Sequence, residues 1–244
     1  MSLPTEDCAA SYHRRTSMLA QPGDALLPTA TPPHSDFGVA LPYVKPATGP
    51  SLEQAIGRRR TERHFDPRAG LTLAELARLL VLSCGRTEGG DDAAHRAVPS
   101  AGAAYPVDVY VIVQRVAGLP PGAYGYDAGT HRLALRRAGR FAAGLARWTL
   151  DQPWMARAAT VFVLVGTLAR LQPRYASRGY RYMLFEAGHV AQNLCLLGAA
   201  RGLCVQPAGG FVDLAFDRLL ALDDGQRSLY LLAVGPGAPV APAS

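Results

Sequence analysis

Two rhythms of apolar positions run through this chain. Val107-Asp108-Val109-Tyr110-Val111-Ile112-Val113 is β-branched and bounded by Pro106, which predicts a strand. Ala158 to Val165 is an apolar run rich in valine, the pattern of a strand buried on both faces. Leu229 to Val234 predicts a final strand. Tyr124-Gly125-Tyr126 and Arg132-Leu133-Ala134-Leu135 flank Asp127 to Thr130 as a hairpin. The second rhythm is helical. Thr72 and Glu75 stand in capping-box relation before a helix from Leu73 to about Ser83, with Leu73, Leu76, Ala77, Leu79 and Leu80 on its apolar face and Gly85 as its stop. Ser51 can cap a short helix through Ile56, with Leu52, Ala55 and Ile56 on one face. The longest helix runs from about Tyr180 to Ala200 and stops at Gly202; being apolar nearly all round, it belongs in a core or a subunit interface. Shorter helices are expected over Phe141 to Leu150 and, with Asp213 as its cap, on to Leu222. Glu88 to Asp92 and Leu203 to Phe211 read as loops. Helices separate the strands and no repeat is present, so the class is α+β.

Residues 1–50 break both rhythms. Pro32-Pro33 and Pro42 interrupt a stretch rich in Pro, Thr, Ser and Ala, which predicts an extended arm before one domain over residues 51–244. Its distinctive piece, Ser11 to Ser17, is suited to docking on a neighbouring surface.

Composition narrows the class. With 49% hydrophobic and 18% charged residues the chain of 244 residues is globular, and no apolar run approaches the ~20 residues that span a bilayer. Met1 to Ala10 carries acidic residues and no apolar core, so it is no secretory signal. Cys8, Cys84, Cys195 and Cys204 have no C-x-x-C spacing, which fits idle thiols in a reducing cytoplasm. The net charge of +6 suits an anionic ligand or nucleic acid without choosing between them. Lys45 is the only lysine, so the basic residues are drawn almost wholly from arginine.

Five stretches could carry chemistry. Pro99 to Pro106 is a loop of small residues that lets backbone approach a flat or charged ligand. Arg59, Arg60 and Arg63 with Thr61 would aim guanidiniums at one point from a helical turn, a set suited to a phosphate monoester; on spacing alone a solvated basic face is the commoner explanation. Glu186 and His189 form one E-x-x-H with no second copy, which points to a structural hydrogen-bonded pair and no metal. Arg174-Tyr175, followed by Arg178, Tyr180, Arg181 and Tyr182, suits an acid–base tyrosine, nucleic-acid stacking or an interface. Gly209-Gly210 exposes amide N–H groups that can donate to a ring nitrogen or oxyanion. No Ser-His-Asp elbow, P-loop, G-x-G-x-x-G or zinc spacing is present.

The order of these motifs resembles the SagB-type dehydrogenases of the FMN-dependent nitroreductase superfamily. The resemblance runs from Arg59-Arg60-Thr61-x-Arg63-x-Phe65 through Pro99-Ser100-Ala101-Gly102-Ala103-x-Tyr105-Pro106 and Tyr124-Gly125-Tyr126-Asp127. It continues through Arg178-Gly179-Tyr180-Arg181-Tyr182, Glu186 to Asn193, Pro207 to Phe211 and Leu229 to Gly235. It implies an α+β fold with a central mixed sheet packed with helices, and an intertwined homodimer with FMN at the subunit interface. Arg59, Arg60, Thr61 and Arg63 would hold the phosphate, Ser100, Ala101 and Gly102 would line the flavin, and Gly209 and Gly210 would place amides near N5.

The best-known members of that family oxidise thiazolines and oxazolines in modified peptides to azoles, which implies a peptide or small-molecule substrate, free or bound to a carrier or leader peptide, and no role for nucleic acid or membrane. The family's Lys-Tyr base pair corresponds to Arg174-Tyr175, and arginine keeps its proton, so either Tyr175 is the sole base or the reaction differs. The family's basic residue after the last strand is replaced by Gly235-Pro236-Gly237. Two alternatives stand beside azoline oxidation: a related flavoenzyme for a cyclic dipeptide, quinone or nitro compound, and a flavin-free basic binding or scaffold protein.

Overall fold

The computed structural model describes residues 8–18, 38–44, 48–86 and 95–238. In chain order the elements are α1 (Cys8–Thr16), β1 (Val39–Ala40), α2 (Leu52–Arg58), β2 (Leu71–Thr72), α3 (Leu73–Cys84), β3 (Val107–Val113) and β4 (Val116–Ala117). There follow β5 (Gly122–Asp127), β6 (Arg132–Ala138), α4 (Ala142–Trp148), α5 (Pro153–Arg157), β7 (Thr160–Thr167) and α6 (Gln172–Tyr175). The chain closes with α7 (Arg178–Arg201), β8 (Leu203–Ala208), α8 (Asp213–Leu219) and β9 (Gln226–Pro236).

Seven strands form one sheet in the order β1-β6-β5-β3-β7-β9-β8, and every pair in it is antiparallel. The expectation of a mixed central sheet is corrected here. Each strand runs opposite to its neighbours in the sheet; β7 and β8, joined through α7, point the same way, but β9 lies between them and pairs antiparallel with both. Among the described residues parallel pairing occurs beside the main sheet, between the two-residue strands β2 and β4, and at the isolated bridge Met18–Val212.

Alternation along the central strands sorts their side chains into two cores. Val107, Val109, Val111 and Val113 of β3, with Phe162 and Leu164 of β7, meet Leu76, Leu79 and Leu80 of α3 and Met183, Val190 and Leu194 of α7. On the other face Tyr110, Ile112, Val161, Val163 and Val165 meet Leu145 and Trp148 of α4 and Phe216 and Leu219 of α8. The apolar run at Ala158 to Val165 is therefore covered on both sides, as its pattern predicts.

Local signals hold where they are self-contained. Both capping boxes form, Ser51 with Gln54 and Thr72 with Glu75. Gly202 ends α7 in the left-handed conformation, φ 66°, where a Cβ is costly. Three expectations differ. Leu203–Ala208 is an edge strand rather than a loop, paired with β9 along its length. Pro207 is tolerated there because an edge strand leaves one backbone side unpaired. The arm is not uniformly extended. Its described parts include α1, which packs Tyr12 edge-on against Tyr180 at 5.9 Å and sets His13 Nδ1 3.1 Å from the Tyr180 hydroxyl, and β1, which pairs with β6. Asp213 does not cap α8. Its carboxylate accepts from the Met18 amide at 2.9 Å instead. Residues 1–7, 19–37 and 45–47 of the arm and the loop at Glu88 to Asp92 lie outside the described residues.

The long helix is apolar on two sides, but only one is covered. Met183, Ala187, Val190 and Leu194 are buried, whereas Leu184 is 39% exposed and Phe185 55%. Helix α2 packs against α7 and adds exposed Leu52 and Ile56. Where α7 is covered the fit is tight, because a Cβ on Gly198 would run into the stiff Val205 side chain on β8. Replacing Gly198 with valine should cost about 1–3 kcal/mol from overpacking. Urea unfolding checks this, and a variant as stable as the native chain would contradict the α7–β8 packing.

Candidate functional site

The arginine cluster takes a different shape from the one its spacing suggests. Helix α2 ends at Arg58, and Arg59 caps it with φ −52° and ψ 121°. From there the chain is extended, because tertiary contacts claim its backbone. The Glu62 amide donates to Val205 O on β8 at 3.3 Å, the Ala238 amide donates to His64 O at 2.7 Å, and Phe65 bridges Gly237. The period is therefore two, not 3.6. Arg58, Arg60, Glu62 and His64 line a groove of about 610 Å³ that also holds Cys195 and Cys204. Alternation puts Arg59, Thr61 and Arg63 on the other face, and Arg59 Nη1 lies 3.4 Å from Thr61 Oγ1. Arg60, grouped with them on sequence, turns back to donate to the Gly57 and Arg59 carbonyls at 2.9 and 2.8 Å. Arg59, Arg60 and Arg63 form no ion pair with a carboxylate among the described residues.

Gly209 and Gly210 extend from β8, the strand that anchors Glu62. Nothing lies within 4 Å of a Cβ built on Gly209, so the space beside its Cα is open. Four residues separate it from Val205, about 13 Å at roughly 3.3 Å per residue. Arg59, Thr61 and Arg63 and the Gly209-Gly210 pair thus lie along one sheet edge.

The loop before β3 meets Arg174 and Tyr175. Gly102 has φ 59°, and its carbonyl accepts from Arg174 Nη1 at 3.1 Å. A Cβ on Gly102 would lie 2.7 Å from that nitrogen and 2.9 Å from the Tyr175 hydroxyl, so only glycine allows this approach. Ala103, Tyr105 and Ala176 also have positive φ, at 52°, 44° and 45°. Such strain persists only where surroundings over-determine it. Here they do. The Tyr105 amide donates to Ser100 Oγ at 2.8 Å, Arg170 donates to Tyr105 O at 2.8 Å, and the same Arg170 grips Asp108 through two bonds of 2.9 and 2.7 Å. The Arg96 guanidinium lies 4.5 Å from the centroid of the Tyr105 ring. Tyr182 meets Tyr175 edge-on at 5.0 Å. The motif around Tyr105 flagged the loop. The Arg170–Asp108 pair, separated by 62 positions, leaves no local signal.

The expected Glu186–His189 pair does not form. Glu186 is buried and accepts from the Val107 amide at 3.3 Å, whereas His189 is on the exposed side of α7. Burial pushes the Cys84 thiol up to about 12 and raises Cys195 and Cys204 as well.

The predicted site residues thus fall into two groups. Ser100, Ala101, Gly102, Arg174 and Tyr175 gather where β3 begins, at Val107 opposite Gly166, while Arg59, Thr61 and Arg63 run beside Val205 on the far edge strand. Three strand spacings of about 4.8 Å and seven residues of about 3.3 Å put the two groups on the order of 25 Å apart in one chain. No hydrogen bond, ion pair or ring contact among the described residues joins them.

Residues 56–236 match the nitroreductase family model. The chain is 34% identical over 184 residues to the nitroreductase-family protein MJ1384 of Methanocaldococcus jannaschii, covering 75% of this chain and 90% of that protein. It is 31% identical over 133 residues to the trifolitoxin-processing protein TfxB of Rhizobium leguminosarum bv. trifolii, covering 52% of this chain and 36% of TfxB. Among solved structures, a nitroreductase-family protein of Ralstonia eutropha JMP134 superposes with a TM-score of 0.75 at 25% identity, over 90% of this chain and 99% of that one. A chain of the E. coli microcin synthetase McbBCD complex, with truncated pro-MccB17 bound, gives 0.68 at 19% identity over 94% and 92%. An Exiguobacterium sibiricum relative in complex with FMN gives 0.56 at 16% over 83% and 96%. These last two share the fold. The chain belongs to the nitroreductase family, whose members are flavin-dependent oxidoreductases.

Proposed function

We propose that this protein is an FMN-dependent dehydrogenase that tailors a modified peptide or related natural product, oxidising a thiazoline- or oxazoline-type ring to the azole. The observation that carries the reading is the contact of Gly102 with Arg174 and Tyr175, which joins the flavin-lining loop to the pair that stands where SagB-type enzymes carry Lys-Tyr. Similarity to TfxB, a toxin-processing protein, supports a peptide-derived substrate.

The residues fit FMN. Arg59 and Arg63 supply charge-assisted donors and Thr61 a hydroxyl for the phosphate, without a competing carboxylate. Gly209 and Gly210 supply amides on the same edge. Arg60, turned onto carbonyls, is left outside the clamp. FMN bound there supplies the hydride acceptor. Tyr175 Oη would be the base for the proton on one ring carbon, and with hydride lost from the adjacent carbon the ring would gain the C=C that makes it aromatic. Arg174, which keeps its proton, holds the Gly102 carbonyl and orients Tyr175 beside it.

The separation of the two residue groups supports a site built from two copies, with the phosphate clamp of one protomer facing the Gly102 loop of the other. Exposed Leu184, Phe185, Leu52 and Ile56 give α7 and α2 an apolar face for that contact. A homodimer is therefore part of the proposal. Arginine in place of the family lysine favours a second reading, in which the same flavin site acts on a cyclic dipeptide, quinone or nitro compound.

Arg59→Ala and Arg63→Ala should each weaken FMN binding about 10- to 100-fold, from loss of a contact worth ~1.5–3 kcal/mol, while Arg60→Ala leaves it unchanged. Fluorescence titration measures this, and equal losses in all three would contradict the alternation of faces. Tyr175→Phe should abolish turnover of an azoline peptide with FMN still bound; retained turnover would reject Tyr175 as the base. A protein that stays colourless after FMN addition would sink the enzyme reading.

A further inference from the structure

Glu186 is the one residue of the Glu186–Asn193 motif that reaches the strained loop, and neither the flavin clamp nor the Tyr175 base uses it. It projects from the buried face of α7 and is 3% exposed among Met183, Ala187 and Val190. A carboxylate in such surroundings is costly unless something compensates it. Burial pushes its carboxyl up, and the Ser100 hydroxyl, the Val107 amide and the Arg96 and Arg170 guanidiniums pull it back. Oε1 accepts from the Val107 amide, and Oε2 has no hydrogen-bond partner. Ser100 Oγ accepts from the Tyr105 amide within the same loop.

The bond from the Val107 amide to Glu186 holds the end of the loop. Ser100 lies at its start and Val107 at its end, and between them Gly102, Ala103 and Tyr105 have positive φ. Two of those are non-glycine residues in a conformation that L side chains disfavour, so the turn needs an external hold. We propose that Glu186 is a positioning residue that holds the Val107 end of the Ser100–Val107 turn, keeping Gly102 against Arg174 and Tyr175 and the loop in its ligand-facing shape. The effect on the loop stands on the geometry alone. The effect on flavin rests on the proposed function.

Hydrogen exchange of the amides in residues 101–107, read by mass spectrometry on the full chain, separates this role from simple core packing. Glu186→Leu should speed exchange of that segment by about 10-fold or more, because the turn loses its anchor at Val107. Glu186→Gln should restore it to within about 3-fold of the native chain, since the amide oxygen still accepts from Val107. Asn193→Ala serves as the structural control. Asn193 Nδ2 donates from the same helix to Ser83 O and Ala97 O, so its loss should lower the melting temperature without speeding exchange at 101–107.

Native-like exchange in Glu186→Leu, or equal acceleration in Asn193→Ala, would overturn the proposal. If Glu186→Leu does not fold, Glu186→Asp, which draws the carboxyl back by one methylene, is read by the same criteria. FMN titration of the same variants isolates the second claim. Faster loop exchange with about 10-fold weaker FMN binding supports both. Faster exchange with unchanged FMN binding keeps Glu186 as the clamp and removes the loop from the flavin site.

Discussion

Burial of the β3-β7-β9 strands on both faces is the constraint that the rest of the structure obeys. Valines on one side of β3 need α3 and α7, and Tyr110 and Ile112 on the other need α4 and α8. With both faces of the central sheet sealed, no ligand can lie on them. Chemistry is left to the strand ends and to the edge strand β8, which is where the loop before β3, the Arg59–Arg63 segment and Gly209-Gly210 lie. The strained Gly102 turn is a consequence of this geometry. It is the connection that delivers the chain into β3, and it is held by groups from the surrounding elements rather than by its own preferences.

What the sequence made legible follows the same division. Elements specified by neighbours within a few positions are read correctly: the Thr72–Glu75 box, the hairpin about Asp127 to Thr130, the run into β7, and the Gly202 stop. Elements specified by partners far away are not. The Arg59–Arg63 stretch has helical spacing, but Val205 and Gly237 draw its backbone into an extended line, and the change of period moves Arg60 off the face of Arg59. Pro207 and two glycines make β8 look like a loop until β9 is there to pair with it. Strand direction is invisible to periodicity, so a mixed sheet was as readable as the antiparallel one found. Glu186 and His189 share a helix, yet one lies in the core and the other on the exposed side, a distinction that spacing of three cannot make.

The candidate site shows the same limit at larger scale. Motif order singled out its candidate parts, and the fold separates them into two groups. The loop at the start of β3 and the Arg59–Arg63 segment beside β8 lie on the order of 25 Å apart in one chain, and under the proposed function the uncovered apolar faces of α2 and α7 bring a second copy into reach. Arg174 fits this picture as an orienting group, since its bond to the Gly102 carbonyl ties the turn to Tyr175 in a way that a point-charge ammonium would not reproduce.

The central claim is that each flavin is held by two chains. Native mass spectrometry of the FMN-loaded protein tests it most directly. The account predicts two chains carrying two FMN molecules, with the flavin lost whenever the dimer is split into monomers. A single chain retaining one FMN would contradict it.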